Sequence, residues 1–314
     1  MRILSTVNKI IVLTSPLCTS SLLAKGLSSS LLSSSVSSLS SSLYSTTLRM
    51  SYQNKQTESD IADVYIVPMF SDNYGYIIVD RVTGAAAAVD PGEPQAVLNA
   101  AQTLGLNLQQ LWITHKHNDH SGGNEFIKSK VSGLKIYGTK HEAIPAITHE
   151  LGEGDSLQLG SLNVKVLYTP CHTSGHISFF VESPSSSIAP ILFPGDTLFV
   201  GGCGRFFEGT ADQMCDNMNR FSKLPSITKV YPAHEYTLSN YKFLASISME
   251  ICQKKYEEIQ KVRDAGESTV PTTIGDEIET NLFMKVFESQ VQKLVGEDTP
   301  SKAMAELRQR KNNF

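Results

Sequence analysis

Short apolar runs, each closed by a turn signal, begin near residue 62 and continue to about residue 236. They predict strands at 64–67, 75–79 and 85–89, the last closed by Asp90-Pro91-Gly92. Residues 94–104 switch to helical spacing, with Ala and Leu gathered on one face. A strand at 111–113 follows, then strands at 134–137, 164–168, 177–181, 191–193 and 229–231, with a helix at 211–221. Many strands with interspersed helices and no internal repeat indicate an α/β sandwich. After Tyr236 the period becomes helical: 240–265 is rich in Lys, Glu, Leu and Ile, Pro271 interrupts, and 274–294 and 301–310 resume. The pattern divides the chain into a sandwich over 62–236 and a small all-α C-terminal domain over 237–314, with 50–61 as a linker.

The first 49 residues are a different kind of polypeptide. They carry Arg2, Lys9, Lys25 and Arg49, no Asp or Glu, and a serine-dominated stretch from Ser28 to Ser45. Basic, Ser-rich and acid-free describes a disordered organellar transit peptide. Ile10-Ile11-Val12-Leu13 would also suit a secretory signal, and a plain low-complexity tail is the third reading. The serine tract and the cysteine usage stand against secretion. Targeting to the mitochondrial matrix is favoured, with Met50 available as a second start for a cytosolic form. No apolar run approaches the length that spans a bilayer, so a membrane partner is not expected.

Formal net charge is −4, and no Lys/Arg cluster lies among aromatics, so nucleic acid is a poor candidate partner. The five cysteines Cys18, Cys171, Cys203, Cys215 and Cys252 contain no CxxC, indicating neither a disulfide framework nor a cysteine zinc knuckle. A reducing compartment and a monomer are expected.

The chemistry concentrates in Thr114-His115-Lys116-His117-Asn118-Asp119-His120, at the end of an apolar run. On extended backbone His115 and His117 would project to one side, while a turn or helix start could aim Asp119 and His120 at a second point. A histidine-rich surface loop is the bland alternative. Three later strand ends favour metal: His172 after Thr169-Pro170-Cys171, Asp196 after Pro194-Gly195, and His234 after Pro232-Ala233. Layered α/β scaffolds project functional groups from such loops. His115, His117 and His172 would hold one ion, Asp119, His120 and His234 another, with Asp196 between. The donors suit two divalent ions, zinc first, with iron or manganese compatible. Five of the chain's eight histidines fall in this set. His141 and His149 lie in a stretch read as helical and are surface candidates. His176 neighbours His172 and could replace it as a ligand; His172 is preferred because it comes immediately at the strand end, and His176 is read as a supporting partner. Asp90 is either a partner to a ligand histidine or a simple turn aspartate.

These motifs resemble the metallo-β-lactamase superfamily. More narrowly, Gly195-Asp196-Thr197-Leu198-Phe199-Val200, Gly202-Cys203-Gly204-Arg205-Phe206-Phe207-Glu208-Gly209-Thr210-Ala211-Asp212, His234-Glu235-Tyr236-Thr237 and the C-terminal Leu307-Arg308-Gln309-Arg310-Lys311 are similar to the hydroxyacylglutathione hydrolase (glyoxalase II) family. The resemblance covers 62–314. It implies a four-layer αββα sandwich with a dinuclear site at its edge, followed by a helical domain that grips glutathione. The seven metal ligands carry over unchanged. Arg205, Phe207, His234, Glu235, Tyr236, Arg308 and Lys311 become substrate-binding positions, and the terminal basic cluster changes from a solvated helix end to a carboxylate clamp. Phe207 departs from the family, where tyrosine is common. Asn118 also stands where an aromatic is common, without being a ligand.

The implied reaction is hydrolysis of S-(2-hydroxyacyl)glutathione, such as S-D-lactoylglutathione, to glutathione and a 2-hydroxy acid, in methylglyoxal detoxification. A metal-bridged hydroxide would attack, with Asp119 and Asp196 as catalytic carboxylates. Rival readings are a mononuclear iron persulfide dioxygenase on the same scaffold, a metal-dependent nuclease, which lacks a basic groove here, and a metal-binding protein without catalysis.

Overall fold

The computed structural model describes residues 56–58, 61–247 and 250–314. The transit-peptide reading of residues 1–49 lies outside the described residues. Seven strands form the first sheet in sequence order: β1 (Gln56–Glu58), β2 (Ala62–Met69), β3 (Asn73–Asp80), β4 (Ala86–Val89), β5 (Leu108–Trp112), β6 (Lys135–Thr139) and β7 (His149–Leu151). β1 to β4 pair antiparallel and β4 to β7 parallel. Two details of this sheet differ from the sequence reading. Gln56–Glu58 pair with β2 rather than serving only as linker, and His149 opens strand β7 where a helix is predicted. The surface placement of His141 and His149 holds, since both are exposed.

The second sheet contains β8 (Ser156–Leu159), β9 (Leu162–Tyr168), β10 (Ile177–Val181), β11 (Ile191–Phe193), β14 (Lys229–Val230) and β15 (Thr272–Thr273), in the order β15-β14-β11-β10-β9-β8. A two-stranded hairpin, β12 (Leu198–Phe199) with β13 (Gly202–Cys203), projects between β11 and β14 in sequence.

Both faces of the central strands β3 and β4 are buried, which is why they read as continuous apolar runs. Tyr76, Ile78, Val89 and Trp112 face the second sheet's Val164, Val166, Ile177, Phe179 and Phe193. Ile77, Val79, Ala86, Ala88 and Leu111 face the opposite way, onto Val97, Ala100 and Ala101 of helix Pro94–Leu104 and Ile127 of helix Asn124–Lys130. Proline opens helix Pro94–Leu104, where a missing N–H costs nothing, and Gly105 at φ +69° ends it. Thr210 and Gln213 cap helix Ala211–Phe221 reciprocally.

The C-terminal region is helical: Thr237–Ile247, Glu250–Asp264, Ile274–Thr280, Ser289–Val295 and Pro300–Asn312. It also donates β15 to the second sheet. The helix predicted over 274–294 stops at Thr280, because Asn281 turns its amide onto the carbonyls of Phe199 and Gly202. Tyr241, Phe243, Leu244, Phe283, Met304 and Leu307 continue the inter-sheet core without a break. Sandwich and helices belong to one compact unit.

Candidate metal centre

Four strand ends deliver the candidate ligands to one edge of the sandwich. Beyond β5 the chain passes through Thr114 to His115 and His117, then enters the one-turn helix Asn118–Ser121 carrying Asp119 and His120. The backbone bends at His115 and Lys116, and His117 precedes the helix at φ −58° and ψ 145°; the two imidazoles still converge, with His115 Nε2 3.0 Å from His117 Nδ1. His172, after β9, brings Nε2 to 3.1 Å from His117 Nδ1. Asp196, after β11, places Oδ2 3.3 Å from His172 Nε2 and Oδ1 3.5 Å from both His120 Nε2 and His234 Nε2. Asp119 Oδ2 is 3.4 Å from His120 Nε2 and 3.5 Å from His234 Nε2. Three overlapping donor groups result: His115, His117, His172; His115, His120, Asp196; and Asp119, His120, His234.

The residues present fit metal. Donors around a tetrahedral ion at about 2.1 Å lie about 3.4 Å apart, close to the separations just given. His120 Nε2 and Asp196 Oδ1 are buried with no hydrogen-bond partner. Buried polar atoms in folded proteins are nearly always paired, so these two are aimed at a non-protein group. The spread of charge agrees. Burial, helped by His120, holds His115 well below the usual imidazole range. Burial pulls His120 the same way, yet Asp196, Asp119 and Asp90 outweigh it and hold it well above. Burial pushes Asp196 up, but His234 and His120 keep it well below the ordinary carboxylate range.

Four of the five candidate histidines have their far nitrogen anchored, which fixes ring orientation. His115 Nδ1 meets Thr114 Oγ1 at 3.0 Å, His120 Nδ1 meets Asp90 Oδ2 at 3.1 Å, His172 Nδ1 meets the Arg205 carbonyl at 3.0 Å, and His234 Nδ1 meets Asp72 Oδ1 at 2.9 Å. Both readings of Asp90 apply. It turns the chain at φ +47°, and it also accepts from the Thr114 N–H and hydroxyl. His176 stays out of the donor set. Its Nε2 accepts the Asp196 N–H at 3.1 Å, its Nδ1 meets the Thr169 hydroxyl, and its ring stacks on His115.

A cleft of about 610 Å³ opens from the cluster toward the last helix. His117, Asp119, His172, Asp196 and His234 form its floor, and Arg205, Arg308 and Lys311 a cationic wall. Tyr236 lies parallel to His234 with centroids 4.6 Å apart, and Phe207 stands edge-on to His117 and His172, 59% exposed. Arg308 donates to the Cys203 carbonyl and Lys311 to the Ser239 hydroxyl and carbonyl. Burial, then the charges of Arg308 and Arg205, push the Lys311 ammonium down to about 8. Three cations crowded against a cleft suit an anion.

Glu235 is turned away from the cleft. Its carboxylate accepts from Thr269 N–H, Thr269 hydroxyl and Tyr74 hydroxyl, and faces Arg263, so it fastens the helical region to β3. Two residues escaped the sequence reading. Asp72 holds His234, and Asn73 Nδ2 donates to Asp119 Oδ2 at 2.9 Å. Asp-Asn between two strands carries only a turn signal in sequence.

A profile of the metallo-beta-lactamase superfamily matches residues 72–234, and one of the hydroxyacylglutathione hydrolase C-terminus matches 235–314. The chain is 40% identical over 255 residues to a cytoplasmic hydroxyacylglutathione hydrolase of Arabidopsis thaliana, covering 80% of this chain and 98% of that protein. It is 37% identical over 256 residues to the hydroxyacylglutathione hydrolase of Synechocystis, covering 80% and 100%. Among solved structures, a metallo-beta-lactamase of Staphylococcus aureus superposes with a TM-score of 0.56 at 22% identity, over 81% of this chain and 72% of that one. The B3 metallo-beta-lactamase BLEG-1 does so at 0.53 and 21%, over 70% and 99%. At these identities the structural likeness is one of fold alone.

Proposed function

From the premise that this chain belongs to the hydroxyacylglutathione hydrolases of the metallo-β-lactamase superfamily, we propose that it hydrolyses S-(2-hydroxyacyl)glutathione thioesters at a pair of divalent ions. The observation that carries this reading is one cleft joining a His/Asp donor cluster to the wall of Arg205, Arg308 and Lys311. His115, His117 and His172 would hold one ion and Asp119, His120 and His234 the other, with Asp196 lying between the two groups. Zinc leads, with iron or manganese suited to the same donors. Such a pair, when bound, supplies a Lewis acid and a hydroxide at neutral pH.

The chain's own residues do the rest. Glutathione carries two carboxylates, and the cationic wall binds them through charge-assisted hydrogen bonds. That grip sets the thioester over the donor floor, so binding energy remote from the reacting carbon orients it. Tyr236 and Phe207 border the reacting end. The C–S bond breaks as a C–O bond forms, and the sulfur leaves as a thiolate. Because a thiol pKa is about 8.5, the leaving group needs no strong general acid near neutral pH.

The test is turnover of S-D-lactoylglutathione together with metal content of the full chain. Two ions per chain with thioester cleavage supports the reading. One iron with oxygen uptake on glutathione persulfide replaces it with the dioxygenase. The serine-rich, acid-free residues 1–49 support delivery to the mitochondrial matrix, with a cytosolic form from Met50. A fluorescent fusion to those residues that stays cytosolic refutes that delivery.

A further inference from the structure

The supports behind the donor cluster are divided between the two ion positions. Asp90 serves both: it holds His120 directly, and through Thr114 it sets His115. The Arg205 carbonyl reaches only His172. The short loop between β2 and β3, with Asn73 at the head of β3, reaches Asp119 and His234 alone among the candidate ligands in the described residues, and its Asp72 also meets the Tyr236 side chain. Asn73 Nδ2 donates to Asp119 Oδ2 at 2.9 Å, and Asp72 Oδ1 accepts at His234 Nδ1 at 2.9 Å.

That loop is itself fixed from several sides. Asn73 forms an isolated antiparallel bridge with His234, the Tyr74 N–H donates to the Ala233 carbonyl at 2.7 Å, and the Glu235 N–H donates to the Asp72 carbonyl at 2.8 Å. At its start Phe70 occupies the left-handed region at φ +48°, with its N–H held by Glu93 Oε2 at 3.0 Å. A non-glycine residue there is strained and persists only where its surroundings hold it. Asn73 is 6% exposed and its amide faces Asp119 and the His234 Nε2 edge.

We infer that the Phe70–Asn73 segment, the β2–β3 loop and the first residue of β3, is a positioning element for one ion of the pair, setting the affinity of the Asp119/His120/His234 position independently of the other. This rests on the two-ion reading above. Asp72 keeps His234 in the ring orientation and tautomer that present Nε2, and Asn73 stops the half-exposed Asp119 carboxylate from swinging into solvent. Neither group touches His115, His117 or His172 by any hydrogen bond among the described residues.

The experiment titrates zinc on the full chain against a chromophoric chelator, with metal content per chain measured in parallel. Wild-type protein is expected to bind two zinc ions. Asp72→Ala and Asn73→Ala should each raise the dissociation constant of one ion about 10- to 100-fold and leave the other unchanged. Asp72→Asn, which keeps an acceptor oxygen, should weaken that same ion by only about a few-fold. Unchanged affinity for both ions overturns the inference, and so does equal weakening of both. A wild-type protein with a single zinc overturns the two-ion reading instead. Should the alanine variants lose their far-UV circular dichroism, Asp72→Asn decides: it must weaken one ion alone.

Discussion

Arg308 on the last helix donates a 2.7 Å hydrogen bond to the backbone carbonyl of Cys203. Cys203 closes the β12–β13 hairpin, and two residues later the Arg205 carbonyl anchors His172. The anion wall and the donor cluster are thus tied to one stretch of backbone, and the C-terminal helix is part of the active-site edge. The Arg308 Nε is buried without a partner, and its guanidinium lies over the Phe283 ring. One face of the guanidinium is used structurally while the remaining donors stay available to an anion.

Arg308→Ala should therefore raise KM more than it lowers kcat. A hydrogen bond to a charged group contributes about 1.5–3 kcal/mol, or about 10- to 100-fold in KM. Arg308→Lys should restore only part of this, because an ammonium cannot donate to Cys203 and a substrate carboxylate in the same fork geometry. Steady-state kinetics on S-D-lactoylglutathione checks both, and an unchanged KM would mean that the clamp is misassigned.

Lys311 gives the grip a pH dependence. Its ammonium, pushed down to about 8 by burial and by Arg308 and Arg205, loses its charge as pH rises through that value. KM should then climb above about pH 8, while Lys311→Arg, charged throughout, should move the rise upward or abolish it. For stability the sign is opposite. Between about 8 and the ordinary lysine value the unfolded chain holds the extra proton, so folding gains with rising pH. A KM flat from pH 7 to 9.5 would exclude Lys311 from binding.

Much of this was legible in the chain because the donors cannot be explained as core or turn residues. Histidines at 115, 117 and 120 beside Asp119, with His172, Asp196 and His234 each directly past an apolar run, leave few other uses. Strand β10 is the predicted 177–181 because both its faces are buried and the run is unbroken. What stayed hidden depends on contacts distant in sequence. Asp72 and Asn73 read as turn formers until the fold brings them to His234 and Asp119. Glu235 stands beside a ligand, yet its side chain points the other way, to Thr269. Glu277, one of two carboxylates in the first turn of helix Ile274–Thr280, is wholly buried.

That burial pushes Glu277 up to about 7, against the bonds it accepts from Gly201 N–H, Asn281 and the Thr272 hydroxyl. A carboxyl raised in the folded state contributes stability that is full below its unfolded value of about 4.5 and is lost as pH rises through 7. The loss amounts to roughly 3 kcal/mol by pH 8. Glu277→Gln should remove this component, so the variant gains on wild type as pH rises from 5 to 8. Urea unfolding at both pH values measures it, and a constant difference between the two proteins would refute the assignment.

Gly195 carries the sharpest steric prediction. It adopts φ +52°, and a Cβ there would lie 2.6 Å from His176 Nε2 and 2.7 Å from Thr114 Oγ1. Both neighbours are committed: His176 Nε2 accepts the Asp196 N–H, and Thr114 bonds Asp90. Gly195→Ala must therefore move the Asp196 backbone off His176 or displace Thr114 from Asp90, on top of the strain of a side chain in the left-handed region. A destabilisation of about 2–3 kcal/mol is expected, and a folded remnant should lose metal from both positions because Asp196 faces His172 on one side and His120 and His234 on the other. Thermal melts with metal analysis test this. A variant that keeps wild-type stability and full metal content would show that Asp196 does not depend on the Gly195 turn.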